Sequence, residues 1–332
     1  MPADHRVEVV PVVLETHPNA DTLSVVKIAG FTACVRTADF AGVDRAAYIE
    51  PDSLVPVDRP WSAFLAPRAK PIYGDRARIT VVKLRGVLSM GLLVAPLAGT
   101  SWEIGQDVAA ELGVEHYNPP EAGSARGTGG EAEAAPAVLR TLPKYDVDSW
   151  RRYGRLFMAG EPVVVTEKIH GASARYVWHE GRLWVGSRAE WKREDAGNVW
   201  WRALRGTEGL AAWCEAHPNV IVYGEVYGWV QELRYGAAQG QVWFRAFDLR
   251  HGTAWLPHAE ARALGAALPW VPVLYEGPYD AVKIEALAEG PSTLYPKHVR
   301  EGCVVKPLVE REDAHIGRVQ LKIVGSGYLE KA

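Results

Sequence analysis

Several short segments set charged side chains among apolar strand residues. In Val163-Val164-Val165-Thr166-Glu167-Lys168-Ile169-His170-Gly171 an apolar run ends on a lysine just before a glycine, which holds the amine at the mouth of a sheet. Taken alone, such a lysine is equally a surface residue at a strand end. Tyr223-Gly224-Glu225-Val226-Tyr227 adds a carboxylate among β-branched and aromatic residues, and a buried Glu is rare without a partner. Phe244 to Leu249 offers aromatics beside an acid, and Glu301 to Pro307 begins with an acid and carries Lys306 near its end. Gln320 and Lys322 fall on one strand face because side chains alternate. Strands that present charge in this way make a poor ordinary core and a good nucleotide cleft.

Positioning these residues takes strands and a few helices. Val163 to Lys168 reads as a strand, and Ser173 to Arg188 as a hairpin turning at His179-Glu180-Gly181. Asn198 to Ala216 has helical spacing through Trp201, Leu204, Leu210 and Trp213. Further strands are expected at Val220 to Tyr227, Val242 to Leu249, Gly302 to Pro307 and Arg318 to Val324, with helices at Pro257 to Leu268 and Ala281 to Glu289. This is an α+β pattern with mostly antiparallel pairing. Ahead of it, Val7 to Leu14, Thr22 to Ile28, Ala77 to Leu84 and Val87 to Val94 are strand-like, separated by turn clusters such as His17-Pro18-Asn19-Ala20-Asp21. Many short strands of this kind predict a small closed barrel, for which an OB-fold is the natural size. The Gly/Ala-rich residues 121–140 read as a flexible linker, with no large apolar residue before Val138. The expected organisation is an OB-fold module over 1–120, the linker over 121–140 and a second domain over 141–332.

The chain has 332 residues, 48% hydrophobic and 23% charged, which is globular and long enough for two domains. Lys plus Arg number 37 against 40 Asp plus Glu, and a net charge of −3 excludes a polybasic binder. Any nucleic-acid contact has to come from a local patch. Cys34, Cys214 and Cys303 lie far apart and suit neither a disulfide framework nor a cysteine zinc site. The apolar stretch from Gly86 to Leu97 is too short for a bilayer, and the start lacks a signal-peptide pattern. The expectation is a soluble cytoplasmic protein.

The ordered set EKIHG, GSR, YGEVYG, FDL, EGCVVKP and QLKIV resembles the six signature motifs of the covalent nucleotidyltransferases, which comprise RNA ligases, DNA ligases and mRNA capping enzymes. A single KxxG says little, whereas six elements in order from Glu167 to Val324 say much. The KxHG form resembles the RNA ligase branch. The run from His17 to Leu23, followed by a strand, is similar to the tRNA-binding OB modules of some aminoacyl-tRNA synthetases. An OB module ahead of a ligase domain resembles the ATP-dependent RNA ligases of the Deinococcus and Naegleria type, whereas capping enzymes and most DNA ligases carry it behind. The resemblance implies an N-terminal OB-fold β-barrel followed by an ATP-grasp-like adenylyltransferase domain of antiparallel sheets with flanking helices.

It also implies a reaction. Lys168 would attack the α-phosphate of ATP, release pyrophosphate and form a lysyl-AMP phosphoramidate. AMP would pass to an RNA 5′-phosphate, and a 3′-hydroxyl would displace it to seal the strand. An unperturbed lysine is neutral in roughly one part in a thousand at neutral pH, a cost of about 4 kcal/mol. A nearby cation, Lys322 or bound Mg²⁺ or Mn²⁺, favours the neutral amine. A carboxylate paired with Lys168 would oppose it, so Glu225 and Glu301 are expected to hold metal-bound water instead. Lys322 would meet the α-phosphate, and Arg188 the AMP ribose or the RNA phosphate. Phe247 would stack on adenine, with Phe244 competing from the opposite strand face.

Glu167, Ile169, His170 and Gly171 belong to the implied nucleotide site. Alternation turns the Glu167 side chain away from Lys168, and His170 is equally a structural turn residue. Ser173 stands where many relatives carry Asn, and Gln320 where a second lysine is common. Lys306 either compensates near AMP or lies on the surface. For RNA, Arg182, Arg188, Lys192, Arg193, Arg202 and Arg205 interleave with Trp191, Trp200 and Trp201. That mixture suits phosphate neutralisation with base stacking, and equally a helix packing its tryptophans inward. Lys27, Lys83 and Arg85 are candidates in the OB module. The expected partner is RNA, or an RNA-containing duplex with a nick, bound by a monomer. The alternatives are a DNA ligase or GTP-dependent guanylyltransferase of the same superfamily, and a non-catalytic RNA-binding descendant. Lys168, Glu225, Glu301 and Lys322 occurring together disfavours the last.

Overall fold

The computed structural model describes residues 5–117 and 129–330, which form two compact units, 5–117 with 329–330 and 129–328. The first unit is almost wholly β. In chain order its strands are β1 (Glu8–Pro11), β2 (Glu15–Thr16), β3 (Leu23–Ile28), β4 (Phe31–Arg36), β5 (Arg45–Ile49), β6 (Ser53–Pro56), β7 (Arg76–Arg78), β8 (Val81–Leu84), β9 (Val87–Met90), β10 (Leu92–Val94) and β11 (Glu115–His116). One helical turn, α1 (Ala109–Leu112), precedes β11. Four small antiparallel sheets, β1-β5-β10, β11-β6-β7, β2-β3-β4 and β8-β9, enclose two apolar clusters around Ile49 and Tyr48. Alternation does the sorting: in β4 Phe31, Ala33 and Val35 point inward while their neighbours do not. The strand expected from Val87 to Val94 breaks at Gly91, where a Cβ would lie 2.5 Å from the Ile49 carbonyl oxygen. The expected strand from Ala77 to Leu84 likewise divides into β7 and β8.

The second unit contains β12 (Asp148–Ser149), β13 (Pro162–Lys168), β14 (Ala172–His179), β15 (Arg182–Ser187), β16 (Val220–Gly228), β17 (Val242–His251), β18 (Ala254–Trp255), β19 (Val273–Pro278), β20 (Gly302–Pro307), the small pair β21 (Glu312–Asp313) and β22 (Gly317–Arg318), and β23 (Leu321–Val324). Its helices are α2 (Ala137–Arg140), α3 (Trp150–Tyr153), α4 (Val199–Gly206), α5 (Leu210–Ala216), α6 (His258–Leu264) and α7 (Ala281–Leu287). Two five-stranded sheets result, β12-β23-β20-β13-β19 and β15-β14-β16-β17-β18, antiparallel throughout except for β12 on β23. The α+β class and the flanking helices are as expected; β19 carried no strand signal in the reading above.

Helices α4 and α5 bury Trp200, Trp201, Leu204, Leu210 and Trp213 against one face of the second sheet. Each such side chain contributes about 1.5–3 kcal/mol of burial. The single helix expected over Asn198 to Ala216 is interrupted at Gly209, whose backbone is left-handed at φ 75°. Asn198 caps α4 by accepting from the Trp200 and Trp201 amides.

Residues 121–128 of the expected linker lie outside the described residues. From 129 onward the expectation of flexibility is corrected. Ala132 bridges Lys192, and the Glu133 amide donates to the Trp191 carbonyl at 2.8 Å. Ala135 and Leu139 are buried in a cluster with Trp184 and Trp191. Composition hid this, because pairing with 191–193 needs only backbone and two small apolar contacts. Among the described residues no helix is long and apolar enough to cross a membrane.

Candidate active site

Lys168 ends β13, which lies between β19 and β20 and carries the buried run Val163, Val164 and Val165. Register sets Lys168 opposite Gly302, Thr166 opposite Val304, and Val304 opposite Lys322. Cross-strand partners share a face, so Lys168, Lys322 and Lys306 all project from one side of the sheet. The chain turns at Gly171, where a Cβ would stand 2.1 Å from the Val226 carbonyl oxygen. That close approach brings β16 against the turn, and the Gly171 amide donates to the Glu225 carboxyl.

Lys168 Nζ donates to Glu301 Oε1 at 2.5 Å. The second oxygen, Oε2, has no hydrogen-bond partner among the described residues and lies 3.5 Å from His170 Nδ1. The expectation that Glu301 would avoid the lysine is thus corrected. A buried carboxylate needs a cation, and the ammonium at the end of the neighbouring strand is within reach. Burial alone would raise the Glu301 pKa, but Lys168 and His170 outweigh it and bring it down to about 2. Glu225 moves the other way. Burial, reinforced by the Glu301 charge and opposed by Lys168, pushes it up to about 8. Two neighbouring carboxyls are therefore split, one ionised and one largely protonated at neutral pH.

That split predicts a pH trend. Between the ordinary carboxylate pKa and about 8 the folded chain keeps a proton on Glu225 that the unfolded chain has lost, so this group lowers stability as pH rises across that window. Glu225→Gln removes the term. Its melting temperature is expected to gain on the parent steadily from pH 5 to pH 8, and parallel curves would refute the assignment.

His170 is nearly buried and works as a hub. Its amide donates to Tyr235 Oη at 2.8 Å, Nε2 lies 3.0 Å from Glu232 Oε2, and Nδ1 lies 3.3 Å from Tyr328 Oη. Burial would lower its pKa, but Glu301 and Glu232 raise it. Glu232 and Tyr235 were missed in the sequence because they lie in an irregular loop after β16, where neither periodicity nor motif marks them.

Other expected site residues are placed elsewhere. Ile169 is buried against Tyr227, Tyr235 and Val271. Glu167 faces away from Lys168, as alternation required, and accepts from Ser292 Oγ at 2.5 Å and from the Thr293 amide at 2.8 Å. That makes it a loop anchor rather than an adenine contact through its side chain. Lys306 is not on the surface. It is buried and donates to Asp248 Oδ1 at 2.7 Å, while Arg318 donates to Asp248 Oδ2 at 2.8 Å. Burial would raise the Asp248 pKa, but Arg318 and Lys306 hold it well below the carboxylate range. Gln320 is also internal, donating to the Asp146 carbonyl at 2.9 Å. Arg188 is half-exposed and its Nε donates to Asp146 at 2.7 Å.

Phe244 is buried in the α4–α5 core with its ring edge-on to Tyr176. Phe247 lies on the other side, only partly buried, 4.3 Å from the Tyr145 ring. Ser173 sits opposite Glu225 across β14 and β16. Among the described residues no group of three or more His, Cys, Asp or Glu is arranged to enclose a metal. The orphaned Glu301 Oε2, near the Glu225 carboxyl, fits a hydrated divalent cation.

The reading of RNA contacts through tryptophan stacking is corrected. Trp200 and Trp201 are buried because the apolar stripe of α4 packs onto the sheet, and Trp191 is buried with Trp184 and Leu139. Lys192 is 3% exposed, donates to Glu190 and lies over the Trp200 ring, so it has no access to phosphate. Arg202 donates to the Gly240 carbonyl. Arg182, Arg193 and Arg205 remain about half-exposed, paired with Glu133, Glu131 and Glu194. In the first unit Lys27 pairs with Glu15, Lys83 pairs with Glu330, and Arg85 is exposed.

Residues 161–324 match the RNA ligase family model and residues 6–97 an OB-fold domain model. The chain thus carries an RNA ligase domain with an OB-fold domain ahead of it. It is therefore an enzyme whose substrate is RNA. Solved structures of a Naegleria gruberi RNA ligase are similar over almost the whole chain. An apo mutant is 25% identical over 99% of both chains, with a TM-score of 0.81. A mutant with ATP and Mn is 25% identical over 98% of both chains, with a TM-score of 0.80. A form with PPi is 25% identical over 98% of both chains, with a TM-score of 0.81. No curated protein sequence matches the chain.

Proposed function

We propose that this RNA ligase uses ATP to join a 3′-hydroxyl to a 5′-phosphate at a nick in an RNA-containing duplex, acting as a monomer through a covalent adenylate on Lys168. The observation that carries the reading is Lys168 at the strand mouth, bonded to Glu301, with Lys322 on the same sheet face. In the first step the Lys168 amine attacks the α-phosphorus. A nitrogen–phosphorus bond forms, the bond to pyrophosphate breaks, and the lysine proton leaves. Before that, Lys168 must release Glu301, since a paired ammonium has no lone pair. Lys322 favours the neutral amine and supports charge on the α-phosphate. Phe247 stacks on adenine, its face being the accessible one. Glu225 and Glu301 would hold a hydrated Mg²⁺ or Mn²⁺, which when bound supplies positive charge to the phosphates. In the later steps the 5′-phosphate oxygen takes AMP from Lys168, and the 3′-oxygen then displaces AMP.

Incubation with α-labelled ATP and Mn²⁺, followed by a denaturing gel, should show a covalently labelled chain. Adding nicked RNA duplex should then give sealed product. Labelling with GTP in place of ATP, or no label at all, would overturn the reading.

A further inference from the structure

One face of the first unit plays no part in the chemistry above. β6 and β7 pair with Leu54 opposite Arg78 and Pro56 opposite Arg76, and an antiparallel bridge joins Ala69 to Ala77. Val55 and Ala77 are fully buried, so alternation turns Arg76 and Arg78 outward. Register around the bridge sets Arg68 beside Arg78 and Lys70 beside Arg76. Arg68 ends a short 3-10 turn over Ala63–Arg68 and Lys70 follows the bridging Ala69, so these two cations flank the bridge across from Arg76 and Arg78, although like charges placed opposite one another are destabilising. Arg78 is compensated by Asp52 at 2.5 Å and lies over the Tyr117 ring at 4.1 Å; Arg76 is compensated by Glu115 at 2.8 Å. Arg68 and Lys70 are exposed and have no ion-pair partner among the described residues. Phe64 and Ile72 beside them are 64% and 70% exposed, and Tyr73 lies edge-on to Tyr117 at 5.4 Å.

We propose that this face grips the phosphodiester backbone of the RNA substrate, with Arg68 and Lys70 each neutralising a phosphate and Phe64 and Ile72 offering apolar surface to sugars and bases. Uncompensated cations interleaved with exposed aromatic and apolar side chains suit a polynucleotide, whose every unit carries both a phosphate and a ring. The identity of the polynucleotide rests on the ligase reading above. The cation arrangement does not.

The test uses the full chain carrying Arg68→Gln and Lys70→Gln, and a second variant carrying Arg68→Glu and Lys70→Glu. Labelling by α-labelled ATP should match the parent in both, because neither residue belongs to the nucleotide site. Affinity for a nicked RNA duplex at 0.1 M salt should fall by roughly tenfold in the Gln pair and further in the Glu pair. The slope of log affinity against log salt should shrink by about 2 in the Gln pair, one for each lost phosphate contact. Unchanged affinity and slope would overturn the proposal, as would an equal loss from Lys27→Glu, which would indicate bulk charge alone. A parent that binds duplex but takes no label would count against the ligase reading and leave the binding result to decide this surface.

Discussion

Lys168→Ala should take up no labelled AMP, with adenylation falling at least about a thousandfold, and Lys168→Arg should behave alike. The alanine variant removes the amine bonded to Glu301. Arginine restores the charge and can still pair with the carboxylate, but it stays protonated and cannot supply a nucleophilic lone pair. The two variants therefore separate charge from nucleophilicity. The alanine variant leaves Glu301 with His170 as its remaining cation and is expected to lose stability at neutral pH, whereas the arginine variant keeps most of it. Both should retain some capacity to seal RNA that already carries a 5′-adenylate, since the last displacement does not need the lysine as nucleophile. Denaturing-gel labelling and sealing of pre-adenylated nicked duplex measure this directly. Persisting label in Lys168→Ala would end the assignment.

Asp248→Asn should cost about 3–5 kcal/mol of stability, because it leaves the buried Lys306 without its carboxylate and Arg318 with Glu310 alone. Asp248 joins β17 in the second sheet to Lys306 on β20 in the first, and to Arg318 beside β23. Tyr145 Oη also donates to it, and Glu310 is the further acid on Arg318. The asparagine amide keeps one acceptor and no charge. At about 2–4 °C per kcal/mol for a unit of this size, melting should drop by at least about 6 °C. Lys306→Met in the same chain should restore part of the loss, since it removes one stranded charge, whereas two independent effects would add. Lys306 also approaches the Phe247 carbonyl at 3.4 Å, so loosening the clamp should weaken ATP binding more than it slows adenylation at saturating ATP. A melting curve within 1 °C of the parent would show that the pair is not a clamp.

How much of this was legible beforehand can be judged from particular residues. Lys168, Glu225, Glu301 and Lys322 stood out because each is a charge set within or at the end of an apolar strand segment, and strand periodicity turned Glu167 away from Lys168. The choice between Phe244 and Phe247 was also half visible, since alternation put them on opposite faces; only packing showed that Phe244 lies under α4. The surroundings of Lys306 and Gln320 were not legible because their partners, Asp248 and the Asp146 carbonyl, lie 58 and 174 residues away. The tryptophans of α4 carried two equal readings, which burial against the sheet resolved.

Local order is what the chain could declare by itself: strand ends, a glycine just after the strand-end lysine, an α+β succession and a set of motifs in family order. These depend on periods of two and 3.6 residues and on backbone sterics, all of which act over a few neighbours. Which carboxylate holds Lys168, why Glu225 keeps its proton, and which lysines are buried were decided only when distant strands met. Electrostatic partnership depends on separation in space and on exclusion of water, and neither is written in residue spacing.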